Sequence, residues 1–466
     1  MTPTDTLNAA VNAVPALGHE RSVEWPMRTM RILPNGLQIV IAESHNFPKM
    51  IAQLFFRSGN SVVAATQPGL ADITAAVVRT GTHSRTSESI EEDLRRIGSD
   101  LGTSAGADTS AISVAGLSEF SRDIFELIVD LARNASFPVG DFERIRRQRL
   151  EELRIERTTP GFISGERFRH ILFGAHPYAT IAPSEQQVQS YRIDDLKNYY
   201  AHHYSPANAL LIVVGDFDTE KILDQVDQLF GQWHSPAPTP AANPAPPRHQ
   251  GRRVHLVHLP GTVQTDVLVG NLGITRLDPD WYRLALANSI YGGAFNSRLV
   301  MNIREQKGYT YSPRSSVVAL REYGYFTIHA AVRNDVVAAT LTEMFYEADR
   351  MRSLPVGAQE LLDAQSYMSG VFSLGVATQD GLVTQLSSVY LNRLPENYLD
   401  TYRESIRALS AEDVMLAARR HFDSANAQIV IVGDRAQIGE QAALFGEVTN
   451  YDAHESHPES HKGTLL

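Results

Sequence analysis

The chain repeats one segment of its own sequence in its second half. Residues 202–217, HHYSPANALLIVVGDF, align with residues 420–435, RHFDSANAQIVIVGDR, and share an Ala-Asn-Ala core, an apolar strand and Val-Gly-Asp. The same offset pairs Asp195 with Asp413. A repeat this long indicates duplicated domains and not a solenoid of short units. We therefore expect two halves with one common architecture.

The length and one proline-rich segment indicate where the chain divides. A chain of 466 residues is too long for one hydrophobic core, because single cores stop growing near ~250 residues. Six prolines fall within twelve residues of the segment PAPTPAANPAPP, which favours an extended linker. The predicted parts are an N-terminal extension at 1–24, a first domain at 25–235, a Pro-rich linker at 236–250, a second domain at 251–450 and a flexible His-containing tail at 451–466.

Strand and helix patterns mix within each half. Residues 37–43 and 50–59 are rich in β-formers and are bounded by turn residues, and residues 109–117 alternate like a strand. Residues 86–98 carry an N-terminal Thr, an apolar stripe and a terminal Gly, which predicts an amphipathic helix. The pattern indicates the α+β class, with two α/β layer-sandwich domains in which helices pack on a largely antiparallel sheet.

Composition removes several classes of function. The net charge is −11, from 42 Lys and Arg against 53 Asp and Glu, without a block of like charge, so nucleic acid is not expected as a partner. The chain has no cysteine, which excludes disulfides, thiolate nucleophiles and Cys-ligated metals. Its apolar runs are strand-sized, so no membrane segment is expected. The start has no signal-peptide pattern, which leaves a cytoplasmic location, or a periplasmic one if a leader was removed.

The stretch GLADITAAVVRTGT, residues 69–82, has the pattern of a buried packing helix. Leu70, Ile73 and Val77 recur at helical spacing, and Gly81 provides an exit. The stretch also resembles the metal-site helix of the insulinase-like (pitrilysin, mitochondrial processing peptidase) zinc metallopeptidases, whose motif is H-x-x-E-H followed by Gly-Thr.

This resemblance implies a damaged metal site. Asp72 stands where the family has its first histidine, Ala75 at the general-base glutamate and Ala76 at the second histidine, and Glu152 falls at a fitting distance for the downstream glutamate ligand. Two imidazoles at i and i+4 are needed to face one metal ion, and alanine has no donor atom. We therefore expect no cofactor on this chain. The alternatives are a weak two-carboxylate site for a hard cation at Asp72 and Glu152, or carboxylates that are solvated or salt-bridged.

The resemblance covers most of residues 25–435 and includes the segments LPNGLQIVI, HPY and YYAHHYSPANALLIVVGD. It implies two homologous domains that form a clam-like half chamber. In these peptidases the half without zinc carries a Gly-rich turn, Ser-Arg-Leu, and an Arg followed by a Tyr seven residues later. Within residues 291–316, Arg304 and Tyr311 match this spacing.

The resemblance implies that Arg304 and Tyr311 reach the active site. A guanidinium can hold a substrate carbonyl with two parallel hydrogen bonds, and a phenol can donate to the developing oxyanion. The alternative is that Arg304 pairs with a nearby acid such as Glu305 or Asp280 and that Tyr311 is a half-buried strand residue.

We expect a catalytically incomplete subunit of a heterodimer. Arg304 and Tyr311 would act in trans at the zinc site of an insulinase-like sibling that carries H-x-x-E-H, and the substrate would be a peptide. The first alternative is a catalytically inactive scaffold or binding protein of the same fold. The second is a hydrolase that uses Ser104 in GTSAG, although a nucleophile elbow requires a strand before the serine and a helix after it.

The histidines give weaker signals. His454, His457 and His461 lie in the C-terminal tail, which favours a flexible segment or adventitious metal binding. The pairs His202–His203 and His255/His258 lie at element ends or along strands, where neighbours point to opposite faces, so they are not expected to bind metal.

Overall fold

The computed structural model describes residues 25–239 and 242–453. The predicted extension at 1–24 and the tail histidines His454, His457 and His461 lie outside the described residues. The described residues form twelve strands: β1 (Arg28–Ile32), β2 (Gln38–Glu43), β3 (Lys49–Phe56), β4 (Asp100–Ala105), β5 (Ser110–Leu117), β6 (Ala209–Gly215), β7 (Arg253–His258), β8 (Gln264–Gly273), β9 (Arg314–Ala319), β10 (Gly324–Arg333), β11 (Gln428–Gly433) and β12 (Glu447–Asp452).

The helices of the described residues lie between and after these strands. They are α1 (Leu70–Val78), α2 (Ser87–Arg96), α3 (Ser121–Asn134), α4 (Val139–Glu156), α5 (Pro160–Phe173), α6 (Glu185–Ser190), α7 (Ile193–His203), α8 (Thr219–Phe230), α9 (Trp281–Asn288), α10 (Val337–Ser353), α11 (Ala358–Gly375), α12 (Gln379–Leu391), α13 (Tyr398–Arg407), α14 (Ala411–His421) and α15 (Arg435–Ala443). Two π-helical segments occupy Ser289–Gly293 and Val300–Gln306.

The predicted helix at 86–98 shows how local sequence sets these bounds. The Thr86 side chain accepts a hydrogen bond from the Ser89 N–H and caps α2. Ile90 and Leu94 lie on the buried face of the helix. The chain leaves the helix at Gly98, whose φ of +59° is a conformation that glycine adopts without steric cost. The sequence-based prediction is therefore correct to within two residues at each end.

The strands form two six-stranded mixed sheets, which confirms the α+β class. The first has the order β1-β2-β6-β3-β5-β4, and the second has the order β12-β7-β11-β8-β10-β9. Antiparallel pairs are in the majority, as predicted. The parallel pairs are β2 with β6 in the first sheet, and β11 with β7 and β12 with β7 in the second.

The two sheets share one topology over five strands. The order β2-β6-β3-β5-β4 corresponds strand by strand to β7-β11-β8-β10-β9. The repeated sequence segments form β6 and β11, which occupy equivalent inner positions. The sheets differ at one edge, where β1 is antiparallel to β2 but β12 is parallel to β7. The sequence repeat is therefore also a repeat of architecture.

Helices of the second half cover one face of the first sheet. Leu211 and Val213 of β6 face the core formed with helices of the first half. Ile212, the residue between them, packs in a separate core with Phe372 of α11 and Leu386 of α12. Both faces of β6 are therefore buried, which explains its continuous apolar sequence.

The first half covers the second sheet in return. Helix α5 places Phe168 and Leu172 against Leu268 of β8 and Val430 of β11. Ile431, the next residue of β11, faces the core of the second half. Helices are thus exchanged between the halves. The predicted domain boundaries at 25–235 and 251–450 stay predictions about how the chain divides.

Two equivalent hairpins, β4–β5 and β9–β10, meet where the halves join. Asp108, in the first hairpin turn, accepts hydrogen bonds from the Ser61 hydroxyl at 3.1 Å, the Tyr178 hydroxyl at 2.7 Å and the Arg321 N–H at 2.9 Å. Arg321, in the second turn, also donates to the Arg57 carbonyl at 3.0 Å. One partly buried carboxylate therefore connects three segments of the chain.

The His-Pro-Tyr segment at 176–178 completes this junction. His176 is buried, and its Nδ1 accepts from the Tyr178 N–H, so the proton lies on Nε2, 3.3 Å from Glu322 of the second hairpin. Glu322 also accepts from Asn243 at 2.7 Å, in the predicted linker. The His-Pro-Tyr segment, which the sequence analysis counted among the resembled segments, therefore joins the two halves through hydrogen bonds.

The Tyr178 hydroxyl provides a test of the junction. Tyr178 is 1% exposed, and Tyr178→Phe removes a hydrogen bond to a carboxylate, so we expect a loss of about 1.5–3 kcal/mol in the free energy of unfolding, measured in urea. Tyr200→Phe is the matched control, because the Tyr200 hydroxyl donates to a neutral acceptor, the Leu131 carbonyl, within the first half. It should cost only about 0.5–1.5 kcal/mol. Equal losses would contradict this account.

Candidate functional site

A cleft of about 640 Å³ opens in the first half between α1, α2, β4 and α4. Asp72 and Ala76 of α1 line it together with Glu152 of α4. Ala75 lies beneath the surface at 1% exposure. The helix α1 is fixed on its other side by the buried Leu70 and Val77 and their neighbours in the core. Three of the four residues matched to the metal motif therefore line one cleft.

Asp72 is a partly buried carboxylate with one hydrogen bond to another side chain. Its Oδ2 accepts from the Asn60 Nδ2 at 2.8 Å. Burial raises its pKa to about 6, against smaller lowering effects of the Asn60 hydrogen bond and the charge of Arg149. Sequence reasoning did not find Asn60, because nothing in the sequence relates it to α1.

Glu152 is salt-bridged. Its Oε2 lies 3.4 Å from Arg149 Nη1, and its Oε1 accepts from Gln148 at 2.9 Å. Arg149 also lies 3.0 Å from Glu156. Arg149 lines the cleft together with Asp72.

These residues do not fit a zinc ion. Ala75 and Ala76 have no donor atoms, and Glu152 is engaged by a guanidinium whose charge opposes a cation. Across 25–239 and 242–453, no group of three or more His, Asp or Glu residues could hold a metal ion. The two-carboxylate alternative meets the same obstacle, since Arg149 contributes a positive charge to the cleft.

The second candidate site lies in the second half, after a glycine-rich turn. A side chain at Gly292 would meet Leu299 Cδ1 at 2.6 Å and the Ser315 N at 2.7 Å, so this position requires glycine. Arg298 forms a bidentate pair with Glu360 of α11, with both distances at 2.8 Å. These contacts fix the entry to the π-helical segment that carries Arg304.

The chain leaves that segment through a second glycine. Gly308 has a φ of +65°, and its N–H donates to the Arg304 carbonyl at 3.1 Å. Beyond it the Thr310 hydroxyl bonds the Ala331 carbonyl at 2.5 Å. This turn brings Tyr311 back beside Arg304.

Arg304 lies between two exposed aromatic rings. Its Cζ is 4.5 Å from the ring centroid of Tyr311 and 4.9 Å from that of Phe295. Tyr311 is 80% exposed and Phe295 is 71% exposed. The structure therefore brings the two predicted residues into contact, and it adds Phe295, for which the sequence carried no signal.

The alternative interpretations of this pair are partly right. Arg304 Nε lies 3.2 Å from Glu305 Oε1, as one alternative stated. Asp280 is instead bonded to Arg283 and Arg420. Tyr311 belongs to none of the described strands and is not half-buried.

Ser104 does not lie in a nucleophile elbow. Ser104 lies on β4, and a tight turn followed by β5 comes next in place of the helix that a nucleophile elbow requires. Among the histidines, His255 bonds Tyr451 and Gln428, and burial lowers its pKa to about 4. His203 contacts the Ser58 hydroxyl at 3.1 Å.

The remaining two histidines make local contacts with backbone groups. His202 Nδ1 lies 2.7 Å from the Asn198 carbonyl, and His258 Nδ1 accepts from the Arg435 N–H at 3.2 Å.

Comparison with known proteins shows which family the sequence resembles. Residues 190–368 match the family model described as the peptidase M16 inactive domain. An uncharacterised zinc protease of Streptomyces coelicolor is 23% identical over 83% of this chain and 85% of its own length. The non-peptidase homolog YmxG of Helicobacter pylori is 22% identical over 85% of this chain and 92% of its own.

Solved structures show the same fold. The peptidase M16 inactive domain from Pseudomonas fluorescens superposes with a TM-score of 0.81 at 25% identity, covering 88% of this chain and 98% of that one. A protease from Helicobacter pylori has the same TM-score at 18% identity, covering 87% and 99%. By these matches the chain resembles the M16, insulinase-like, peptidases, and its fold is that of the peptidase M16 inactive domain.

None of the described helices is both long and apolar enough to cross a membrane.

We expect Asp72 to make the stability of the chain depend on pH. The folded chain holds the carboxyl proton more tightly than the unfolded chain, so stability falls as the pH rises from about 4 to about 6 and is level above that. Asp72→Asn removes this dependence and should be more stable than the parent at pH 7.5 but equal to it near pH 4. The rise of the pKa from 3.8 to about 6 corresponds to at most about 3 kcal/mol. Because water in the open cleft screens the charge, we expect about 1–2 kcal/mol. Urea denaturation at several pH values measures this, and parallel curves would contradict it.

Restoring the motif tests the role of Arg149. The triple substitution Asp72→His, Ala75→Glu and Ala76→His recreates H-x-x-E-H, but Arg149 still engages Glu152. We expect that adding Arg149→Ala strengthens zinc binding by roughly tenfold or more, the scale on which groups that contact metal ligands act. Competition with a chromophoric chelator measures the affinity. Arg144→Ala, which changes another arginine of the same cleft, is the control, and an equal gain there would contradict the assignment.

Proposed function

We propose that the chain is the zinc-less subunit of an M16 peptidase heterodimer and supplies Arg304 and Tyr311 to a peptide bound at the zinc site of a sibling subunit that carries H-x-x-E-H. The observation that carries this proposal is the contact between Arg304 and the exposed Tyr311 in the second half. It is supported by Ala75 and Ala76 in the first half, which offer no metal ligand. The two clam-like subunits would together enclose a chamber around the peptide.

The arrangement of Arg304 suits it to binding a carbonyl group. The Nε of Arg304 faces Glu305. The rings of Phe295 and Tyr311 lie beside its guanidinium and restrict its rotamers. Ordering a free arginine side chain would otherwise cost conformational entropy. The guanidinium can then hold the carbonyl of an extended peptide. Less conformational entropy is lost on binding because the side chain is already held.

Tyr311 can stabilise charge that develops on the substrate. Its hydroxyl is on an exposed ring and can donate a hydrogen bond to the oxyanion formed when water attacks the carbonyl. A donor of this kind contributes about 3 kcal/mol to lowering the barrier. The same hydroxyl has no role in simple packing, because the ring is not buried.

Complementation tests the proposal. The purified chain is mixed with its zinc-bearing sibling, and we expect hydrolysis of a quenched fluorescent peptide that neither subunit shows alone. Arg304→Ala should abolish this activity, and Tyr311→Phe should lower kcat by about 10²–10³. Size-exclusion chromatography shows whether each variant still forms the complex.

Arg122→Ala is the control for a lost surface arginine. Arg122 lies on α3 of the first half and pairs with Glu126, so its loss should leave activity unchanged. Full activity of Arg304→Ala within an intact complex would overturn the proposal.

The second candidate is an inactive scaffold or binding protein of the same fold. The observation in its favour is the similarity to a relative named as a non-peptidase homolog. Under this function the exposed rings of Phe295 and Tyr311 contact a partner through their faces. Tyr311→Phe, which keeps the ring and removes only the hydroxyl, would then leave complex formation intact and change no reaction rate.

A further inference from the structure

Three arginines come together where the two halves join, outside the cleft beside α1. Arg57 directly follows β3 of the first half, Arg321 lies in the β9–β10 turn, and Arg393 follows α12 of the second half. We call these residues the arginine cluster. Burial lowers the pKa of Arg57, and the positive charges of Arg393 and Arg321 lower it further. The three charges are therefore close enough to act on one another.

The arginine cluster has more positive than negative charge. Arg321 lies 3.5 Å from the Asp108 carboxylate. Within residues 25–239 and 242–453, neither Arg57 nor Arg393 forms an ion pair. Three guanidinium groups and one carboxylate leave an excess of two positive charges. Arg57 is half-buried, so part of its hydration is lost without a counter-ion to replace it.

Contacts of its backbone and of one guanidinium nitrogen hold Arg57 in place. Its N–H donates to the Asn208 carbonyl at 3.0 Å, and its carbonyl accepts from Arg321 Nη1 at 3.0 Å. Its Nη2 donates to Gln38 Oε1 at 2.6 Å. Its Nε and Nη1 make no hydrogen bond with a described residue, and neither is enclosed. Arg57 therefore has donors that remain open to a ligand.

Gln38 adds a neutral donor beside Arg57. Its amide nitrogen donates to the Met30 sulfur at 3.4 Å, and a thioether is a weak acceptor. A stronger acceptor can therefore take this hydrogen bond. The groups available near Arg57 are thus N–H donors and positive charges, which together suit an anion.

The excess charge favours a phosphate group over a carboxylate. The planar guanidinium of arginine binds both groups with parallel hydrogen bonds. A phosphate monoester carries about −1.5 to −2 at neutral pH and has three strong acceptor oxygens. It can therefore balance the two excess positive charges, whereas a carboxylate can balance only one.

We propose that the arginine cluster binds a phosphate group, which bridges Arg57 of the first half and Arg393 of the second half. The phosphate can be the free ion or part of a soluble monoester. A phosphate held there removes the repulsion between the arginines. Because it binds only the folded junction, it stabilises the contact between the halves. The site needs no metal and no second subunit, so it does not depend on the proposed heterodimer.

Calorimetric titration of the chain with inorganic phosphate tests this proposal. At pH 7.5 and constant ionic strength, the affinity is measured for the parent, Arg57→Gln and Arg393→Gln. Each substitution removes a charge-assisted hydrogen bond, so we expect each to weaken binding by about tenfold or more. Arg122→Gln is the matched control, because it removes a positive charge from the first half at a residue paired with Glu126. It should bind phosphate as the parent does.

Two further ligands separate the class of anion and its source. Acetate has one charge and two oxygens, so we expect it to bind the parent at least about tenfold more weakly than phosphate. Glycerol 3-phosphate should bind as tightly as inorganic phosphate if the natural ligand is a monoester, and more weakly if the site takes the free ion.

Thermal unfolding gives a second measurement. Phosphate stabilises many proteins because it is excluded from their surfaces, so the comparison is between the parent and the variants. Phosphate should raise the unfolding midpoint of the parent more than that of Arg57→Gln or Arg393→Gln. Circular dichroism checks that each variant is folded.

Four outcomes would overturn the inference. The first is that the parent does not bind phosphate, and the second is an unchanged affinity in Arg57→Gln or in Arg393→Gln. The third is an equal loss in Arg122→Gln, which would mean that phosphate responds only to the overall charge. The fourth is equal affinity of the parent for acetate and phosphate.

Discussion

The burial of both faces of each central strand is the constraint on which the rest of the structure depends. In β6, Leu211 and Val213 face one core while Ile212 faces another, and β11 has the same arrangement. Neither half covers the second face with its own helices, so each sheet is completed by helices of the other half. Exposing that face would cost about 25 cal/mol for each Å² of apolar surface. The duplicated halves therefore depend on each other, and the hairpins that meet at Asp108 are fixed by the same exchange.

The packing of α1 in the core of the first half needs no metal ion. The buried positions Leu70, Ile73 and Val77 of α1 contribute to the core of the first half whatever stands on the opposite side. Ala75 and Ala76, which align with the glutamate and the second histidine of the resembled motif, have no donor atoms and leave this packing unchanged. In the second half, contacts of Gly292 and Arg298 within that half fix the segment that carries Arg304.

Sequence could predict the parts of this structure that depend on periodicity and motif spacing. The duplication, the class, the capped helix after Thr86 and the common cleft of Asp72 and Glu152 all follow from such patterns. The exchange of helices could not be predicted, because the apolar run of β6 indicates two buried faces but not what covers them. The sequence also could not predict the contact of Asn60 with Asp72 or that of Phe295 with Arg304. The exposure of Tyr311 could not be predicted from the sequence either, since one interpretation made it a half-buried strand residue and its ring is 80% exposed.

The three positions of α1 that align with the resembled metal motif differ in their energetic consequences. Ala75 and Ala76 bury no polar atom, and alanine has the highest helix propensity, so both are favourable where they lie. Asp72 instead holds a charge in a partly dry cleft, with one hydrogen bond and no ion pair among the described residues. An alanine there would remove the cost of desolvation entirely. Of these three residues, Asp72 alone therefore lowers the stability of the fold where it lies, as residues at functional sites often do.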